Sequence, residues 1–175
     1  MQANRSPYGS EPVYVVDGTR TPFLKARGKP GPFSASDLAV AAGQPLLARQ
    51  RFAPEDLDEV ILGCAMPSPD EPNIGRIVAL RLGCGDRVPG WTVMRNCASA
   101  MQAVDSAARN ITLGNADLVL AGGTEAMSRA PILFNDDMVN WLAALNQART
   151  PIEKLKVIGR LRPGHFGPVI ALLKG

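Results

Sequence analysis

The chain has 175 residues, a net charge of +3, 46% hydrophobic residues and a mean hydropathy of +0.00. That length supports one domain with its own core, and no apolar run approaches the roughly 18 residues of a membrane span. Three widely spaced cysteines (Cys64, Cys84, Cys97) and one histidine make neither a disulfide framework nor a zinc signature. A cytoplasmic location without metal is therefore expected. The polar start, residues 1–12, lacks the apolar stretch of a secretory signal and is read as a flexible N-terminus. Charge is uneven: residues 149–175 carry six basic groups against one acid, leaving the remainder at −2. This basicity can face the phosphates of a ligand or form a solvated helix face, the reading preferred here. No aromatic interleaving supports nucleic-acid binding.

In chain order, β-branched and aliphatic runs predict strands at residues 13–17, 59–64, 91–95 and 118–122. Between them, helical spacing predicts helices over 36–51, 73–82 and 97–113, with Ser36 and Asn96 as N-caps. Gly43 and Pro45 imply that the first helix is kinked or shortened. Residues 25–34 and 66–72, rich in proline, glycine and serine, read as long loops. Gly83-Cys84-Gly85 begins like a dinucleotide fingerprint but has Val88 where the third glycine would stand and follows a helix, so it is read as a turn. The alternation predicts an α/β fold, a parallel sheet flanked by helices. After Ser128 the alternation stops, and a helix over 138–147 and a basic stretch ending in 170–173 follow. Residues 13–128 are therefore read as the α/β domain and 129–175 as a different region.

The most informative stretch is Trp91-Thr92-Val93-Met94-Arg95-Asn96-Cys97-Ala98-Ser99-Ala100-Met101. It places Cys97 where a buried strand turns into a helix, in the helix's first turn. Unpaired amide N–H groups and the positive end of the helix dipole favour an anion there, so the thiol is expected to ionise below its free value and to act as an acyl-accepting nucleophile. On local chemistry alone an equal alternative stands: Cys97 as a small buried hydrophobe that begins a helix.

The segment Asn96-Cys97-Ala98-Ser99-Ala100-Met101-Gln102-Ala103 resembles the nucleophile motif of the thiolase family, enzymes that make and break carbon–carbon bonds between acyl-CoA thioesters. Val15-Val16-Asp17-Gly18-Thr19-Arg20-Thr21-Pro22-Phe23 resembles that family's opening strand and turn. Ala121-Gly122-Gly123-Thr124-Glu125-Ala126-Met127-Ser128 resembles its glycine-rich loop. Pro67-Ser68-Pro69-Asp70-Glu71-Pro72-Asn73-Ile74-Gly75-Arg76 is similar to the branch acting in fatty-acid degradation. The motifs share the family's order and spacing, which makes the resemblance specific. It implies a thiolase-like layered fold, of which residues 13–128 form an incomplete N-terminal half and residues 129–175 the beginning of a truncated loop domain.

The resemblance further implies Cys97 as the nucleophile that carries the acyl group, with its backbone N–H in an oxyanion hole, and Gly122 and Gly123 as supporting wall. Substrates would be coenzyme A thioesters, with no metal or redox cofactor. A full-length member would be a homodimer or homotetramer. Ala100 departs from the family, which usually has glycine there, and bears on acyl-chain tolerance. The family's activating histidine, second catalytic cysteine and asparagine-held water lie in its second half. Beside that pattern, His165 reads as a loop or surface histidine, Cys64 as a core residue, Cys84 as a turn residue and Glu125 as a structural or interface carboxylate. Two alternatives remain: a ketoacyl synthase, which shares the fold and a helix-start cysteine, and a non-catalytic fragment or association module. Thr19-Arg20-Thr21-Pro22 and the glycine-rich loop favour thiolase.

Overall fold

The computed structural model describes residues 12–26 and 29–170. The expected flexible N-terminus therefore lies outside the described residues except for Pro12, and so do residues 171–173 of the final stretch. The chain divides into two compact units, Met1–Arg129 and Ala130–Gly175.

In the first unit, β1 (Glu59–Gly63) carries the apolar run Val60-Ile61-Leu62 and is buried at every position, as a strand covered on both faces is. It pairs in parallel with β2 (Gly90–Val93) on one side and β3 (Val119–Gly123) on the other, giving the order β2-β1-β3. Alternate residues of these strands serve opposite faces. Val60 and Leu62 join Leu118 and Leu120 against helices α1 (Ala35–Ala48) and α2 (Ile74–Arg81). Ile61 joins Trp91, Val93, Val119 and Ala121 against Ala103 and Ala107 of α3 (Ser99–Thr112). At the lower edge Glu59 accepts from the Trp91 indole and from the Asn110 amide, tying three elements together. The expected α/β fold, a parallel sheet flanked by helices, is what the chain forms.

Three sequence expectations need correction. Residues 13–17 form no strand: they join neither the β2 nor the β3 edge of the sheet, and Tyr14, Val15 and Val16 lie exposed. That segment is held instead through Asp17, whose carboxylate takes Nε and Nη2 of Arg49 at 2.7 and 2.9 Å and the Gln50 amide at 2.7 Å. Arg49, the Gly18 N–H and Gln50 together hold the Asp17 carboxyl far below the usual carboxylate range. Second, α1 is capped by Ser34 in a capping box with Asp37, not by Ser36. Ser36 is instead fully buried, its hydroxyl donating to Glu71. Pro45 sits inside α1, which ends at Ala48, short of residue 51 as anticipated. The third correction concerns Asn96 and is taken up with the site.

The second unit holds α4 (Asp136–Gln147), α5 (Pro151–Ile158) and an antiparallel ribbon of β4 (Ile132–Phe134) with β5 (Pro168–Ile170). The helix expected over 138–147 begins earlier because Asn135 caps it, accepting from the Met138 N–H at 2.9 Å. The Asn135 amide also donates to the carbonyls of Gly164 and Gly167, closing the turn before β5. Helix α5 and the ribbon were not anticipated. Thr150, Pro151 and Glu153 form a capping box with proline at the first helical position, a start signal that the sequence does carry. Among the described residues no helix is long and apolar enough to cross a membrane.

Candidate active site

The C-terminal ends of three parallel strands form one rim, the usual place for chemistry in open α/β sheets. Cys97 stands on the connection after β2. The sequence places it in the first turn of a helix capped by Asn96, but α3 begins at Ser99 with Ala98 as its cap residue, and no side chain caps it. Asn96 adopts φ +47°, the left-handed region that asparagine tolerates better than most residues. The chain therefore makes a tight elbow from strand to helix. The Ala98 N–H bonds to the Arg95 carbonyl at 3.0 Å, and the Ser99 N–H to the Asn96 carbonyl at 3.1 Å.

Ser99, which sequence reasoning passed over, closes the elbow from beneath. It is 4% exposed. Its hydroxyl accepts from the Arg95 N–H at 2.8 Å and donates to the Asn96 carbonyl at 2.7 Å. The signal available was a serine at the first helical turn, a residue type that bonds backbone locally.

The start of α3 lies directly on the strand ends. A Cβ on Gly63, the last residue of β1, would fall 2.2 Å from the Ser99 carbonyl carbon and 2.4 Å from the Ala100 nitrogen. One on Gly123, the last residue of β3, would fall 2.4 Å from the Ala100 Cβ. Both contacts are sterically impossible, so glycine is required at each strand end. Gly122 differs: its nearest neighbour would be Leu62 Cδ2 at 3.8 Å, ordinary contact. Of the glycine pair singled out in the sequence, close approach belongs to Gly123 alone, and its counterpart Gly63 was missed. The methyl of Ala100 is what meets Gly123.

The loops after β1 and β3 lock onto one another. Thr124 bonds through its N–H to the Gly63 carbonyl at 3.0 Å and through its hydroxyl to the Ala35 carbonyl at 2.6 Å. Glu125 accepts from the Ala65 N–H at 2.7 Å and from the Cys64 thiol at 3.5 Å, a structural tie as the sequence reading held. Burial first, and the Glu125 charge second, push the Cys64 thiol up to about 12. Burial, then the charge of Glu55, push Cys84 up as well. Glu71, in the loop after β1, accepts from the hydroxyls of Ser34 and Ser36 and from the Ser36 N–H, while Arg81 donates to Ser36 and Asp37. Of the three cysteines, all free, Cys64 and Cys84 are buried with protonated thiols favoured, and Cys97 is exposed.

His165 lies in the second unit, in a short 3-10 turn at Pro163–Phe166, where its Nδ1 accepts from the Arg162 N–H at 3.1 Å. It is a loop histidine, as read from the sequence. The basic residues Lys154, Lys156, Arg160 and Arg162 of that unit are exposed.

A family model described as "Thiolase, N-terminal domain" matches residues 13–157. The 3-ketoacyl-CoA thiolases of Yersinia enterocolitica and Yersinia pestis are 34% identical over 157 residues, which is 90% of this chain and 36% of theirs. The crystal structure of the Bacillus anthracis acetyl-CoA acetyltransferase superposes with a TM-score of 0.56 at 43% identity, over 59% of this chain and 26% of that one. Human mitochondrial 3-ketoacyl-CoA thiolase in complex with CoA gives 0.57 at 35% identity, over 60% and 27%. The chain thus spans about a third of the length of the curated relatives it matches. With a strand-to-helix elbow that exposes Cys97 at the sheet rim and glycines that admit the helix start, and with these matches, the chain belongs to the thiolase family and corresponds to its N-terminal portion.

Proposed function

We propose that this chain carries the acyl-accepting part of an acyl-CoA C-acyltransferase, a thiolase that forms or cleaves 3-ketoacyl-CoA through an acyl-cysteine intermediate. The observation that carries the reading is the exposed Cys97 thiol, held at the sheet rim by a strand-to-helix elbow. In this step the Cys97 thiolate attacks the thioester carbonyl, the backbone N–H of Cys97 stabilises the oxyanion, and the coenzyme A thiolate leaves as the acyl-cysteine forms. Gly122 and Gly123 form part of the wall beside the nucleophile. The cysteine proton and the second half-reaction fall to groups that the resemblance assigns to the family's second half. Coenzyme A and its thioesters are the partners, the reaction uses no metal or redox cofactor, and the full-length form is a cytoplasmic homodimer or homotetramer.

The test is to incubate the chain with acetyl-CoA and map the product by intact mass and peptide mass spectrometry. One acetyl group should appear on Cys97 and vanish in Cys97→Ser. An adduct that survives this substitution, or one that forms on Cys64 or Cys84 in place of Cys97, would overturn the reading.

A further inference from the structure

Resting on the reading of Cys97 as acyl acceptor, we infer that Ser99 is its positioning residue: the buried hydroxyl locks the elbow so that the Cys97 thiol and N–H present one fixed geometry to a carbonyl. Three observations carry this. Ser99 stands at the first residue of α3, yet its side chain caps no helix amide and turns back onto the elbow, bridging the Arg95 N–H and the Asn96 carbonyl. These two bonds flank Asn96, whose φ of +47° is unfavourable for a residue with a side chain and persists only where its surroundings hold it. Beneath, the backbone of Ser99 rests on Gly63 so closely that a Cβ there would fall 2.2 Å from its carbonyl carbon, so the hydroxyl is anchored to the sheet rather than to a mobile loop.

The consequence is chemical. An oxyanion hole works only if the donor N–H and the nucleophile are set at once to the atom that becomes charged, and a displacement of an ångström forfeits much of the rate. Alkylation by a small halide needs no such donor. A loosened elbow should therefore lose acyl transfer while keeping alkylation.

The experiment uses p-nitrophenyl acetate as acyl donor, since it needs no coenzyme A site, and iodoacetamide as the geometry-indifferent control, each read at Cys97 by peptide mass spectrometry. In Ser99→Ala, acylation should fall about tenfold or more while iodoacetamide alkylation changes by less than about twofold, and hydrogen exchange at the Arg95 amide should accelerate. Buried Cys64 and Cys84 monitor folding, because their alkylation rises if the variant unfolds. Should Ser99→Ala unfold, Asn96→Val supplies the second variant: residue 96 is exposed, and a β-branched side chain resists the left-handed region, so the same selective loss is expected. Equal losses of acylation and alkylation, or acylation as fast as in the parent, would overturn the inference. A parent chain acylated no faster than the urea-denatured chain would overturn it too, leaving nothing for Ser99 to position. Failure of acetyl-CoA transfer with p-nitrophenyl acetate transfer intact would overturn the proposed substrate and leave the positioning role standing.

Discussion

The two faces of the three-stranded sheet are packed differently. On one face, Val60 and Leu62 meet Val40, Leu47, Ile74, Val78 and Leu82 of α1, α2 and the end of α2, a broad aliphatic layer. On the other, Ile61 meets the methyl groups of Ala103 and Ala107 on α3. Large side chains hold a helix away from a sheet, whereas alanine and glycine admit its backbone. The first face is thus where apolar burial accumulates, at roughly 25 cal/mol per Å² removed from water. The second gives up side-chain volume so that the start of α3 touches the strand ends at Gly63 and Gly123 and carries the Cys97 elbow with it.

Gly63→Ala should have the largest effect on how the two faces differ. The new methyl group would meet backbone that cannot swing aside, so a loss of about 3 kcal/mol or more is expected in urea denaturation. Gly122→Ala, with room at the site, should stay within about 1 kcal/mol. Equal costs would mean that close approach of α3 is not what glycine serves here.

A second pair separates stability from site geometry. Ile61→Ala and Val78→Ala both open cavities at essentially unexposed positions, costing about 3 and about 2 kcal/mol. Only Ile61→Ala, beneath α3, should also slow acylation of Cys97 per folded molecule. A matching slowdown in Val78→Ala would show that the faces are not independent.

The last effect is a pH dependence confined to alkaline solution. Because the Cys64 thiol is pushed up to about 12 in the folded chain, the unfolded chain gives up that proton first as pH rises past its ordinary value of roughly 8.5. The folded state then holds more protons than the unfolded one, so stability is full below that pH and falls as pH climbs toward 12. Thermal melts from pH 8 to alkaline pH should show this decline; Cys64→Ala should make it shallower, and the raised Cys84 thiol supplies part of what remains, while an unchanged slope would place the alkaline sensitivity elsewhere.

Much of this was legible from residues close together in the chain. Residues 59–63 read as a buried strand because Val60, Ile61 and Leu62 form an unbroken apolar run, and the helices over 73–82 and 138–147 read from their apolar spacing, although the caps that start them, Asn73 and Asn135, went unread. Cys97 was legible because its motif is contiguous. The misses share a different cause. Ser36 was a reasonable cap by spacing, but Glu71 engages its hydroxyl from another loop. Residues 13–17 have strand chemistry, yet Asp17 is tied to Arg49 and Gln50 beyond the end of α1, partners that lie far off in sequence. Gly63 gave no sign of its role because the atom that forbids a side chain there belongs to Ser99.

Three strands and the helices between them in the first unit, the α/β class and the family resemblance, with Cys97 as the candidate nucleophile, were all readable along the chain, because apolar periodicity and contiguous motifs are local properties. The left-handed turn at Asn96, the start of α3 past Cys97 and the grip of Ser99, Gly63 and Gly123 on the elbow came from long-range packing. Those features arise where backbones distant in sequence come within van der Waals contact, and no local pattern records which atoms will lie across that gap.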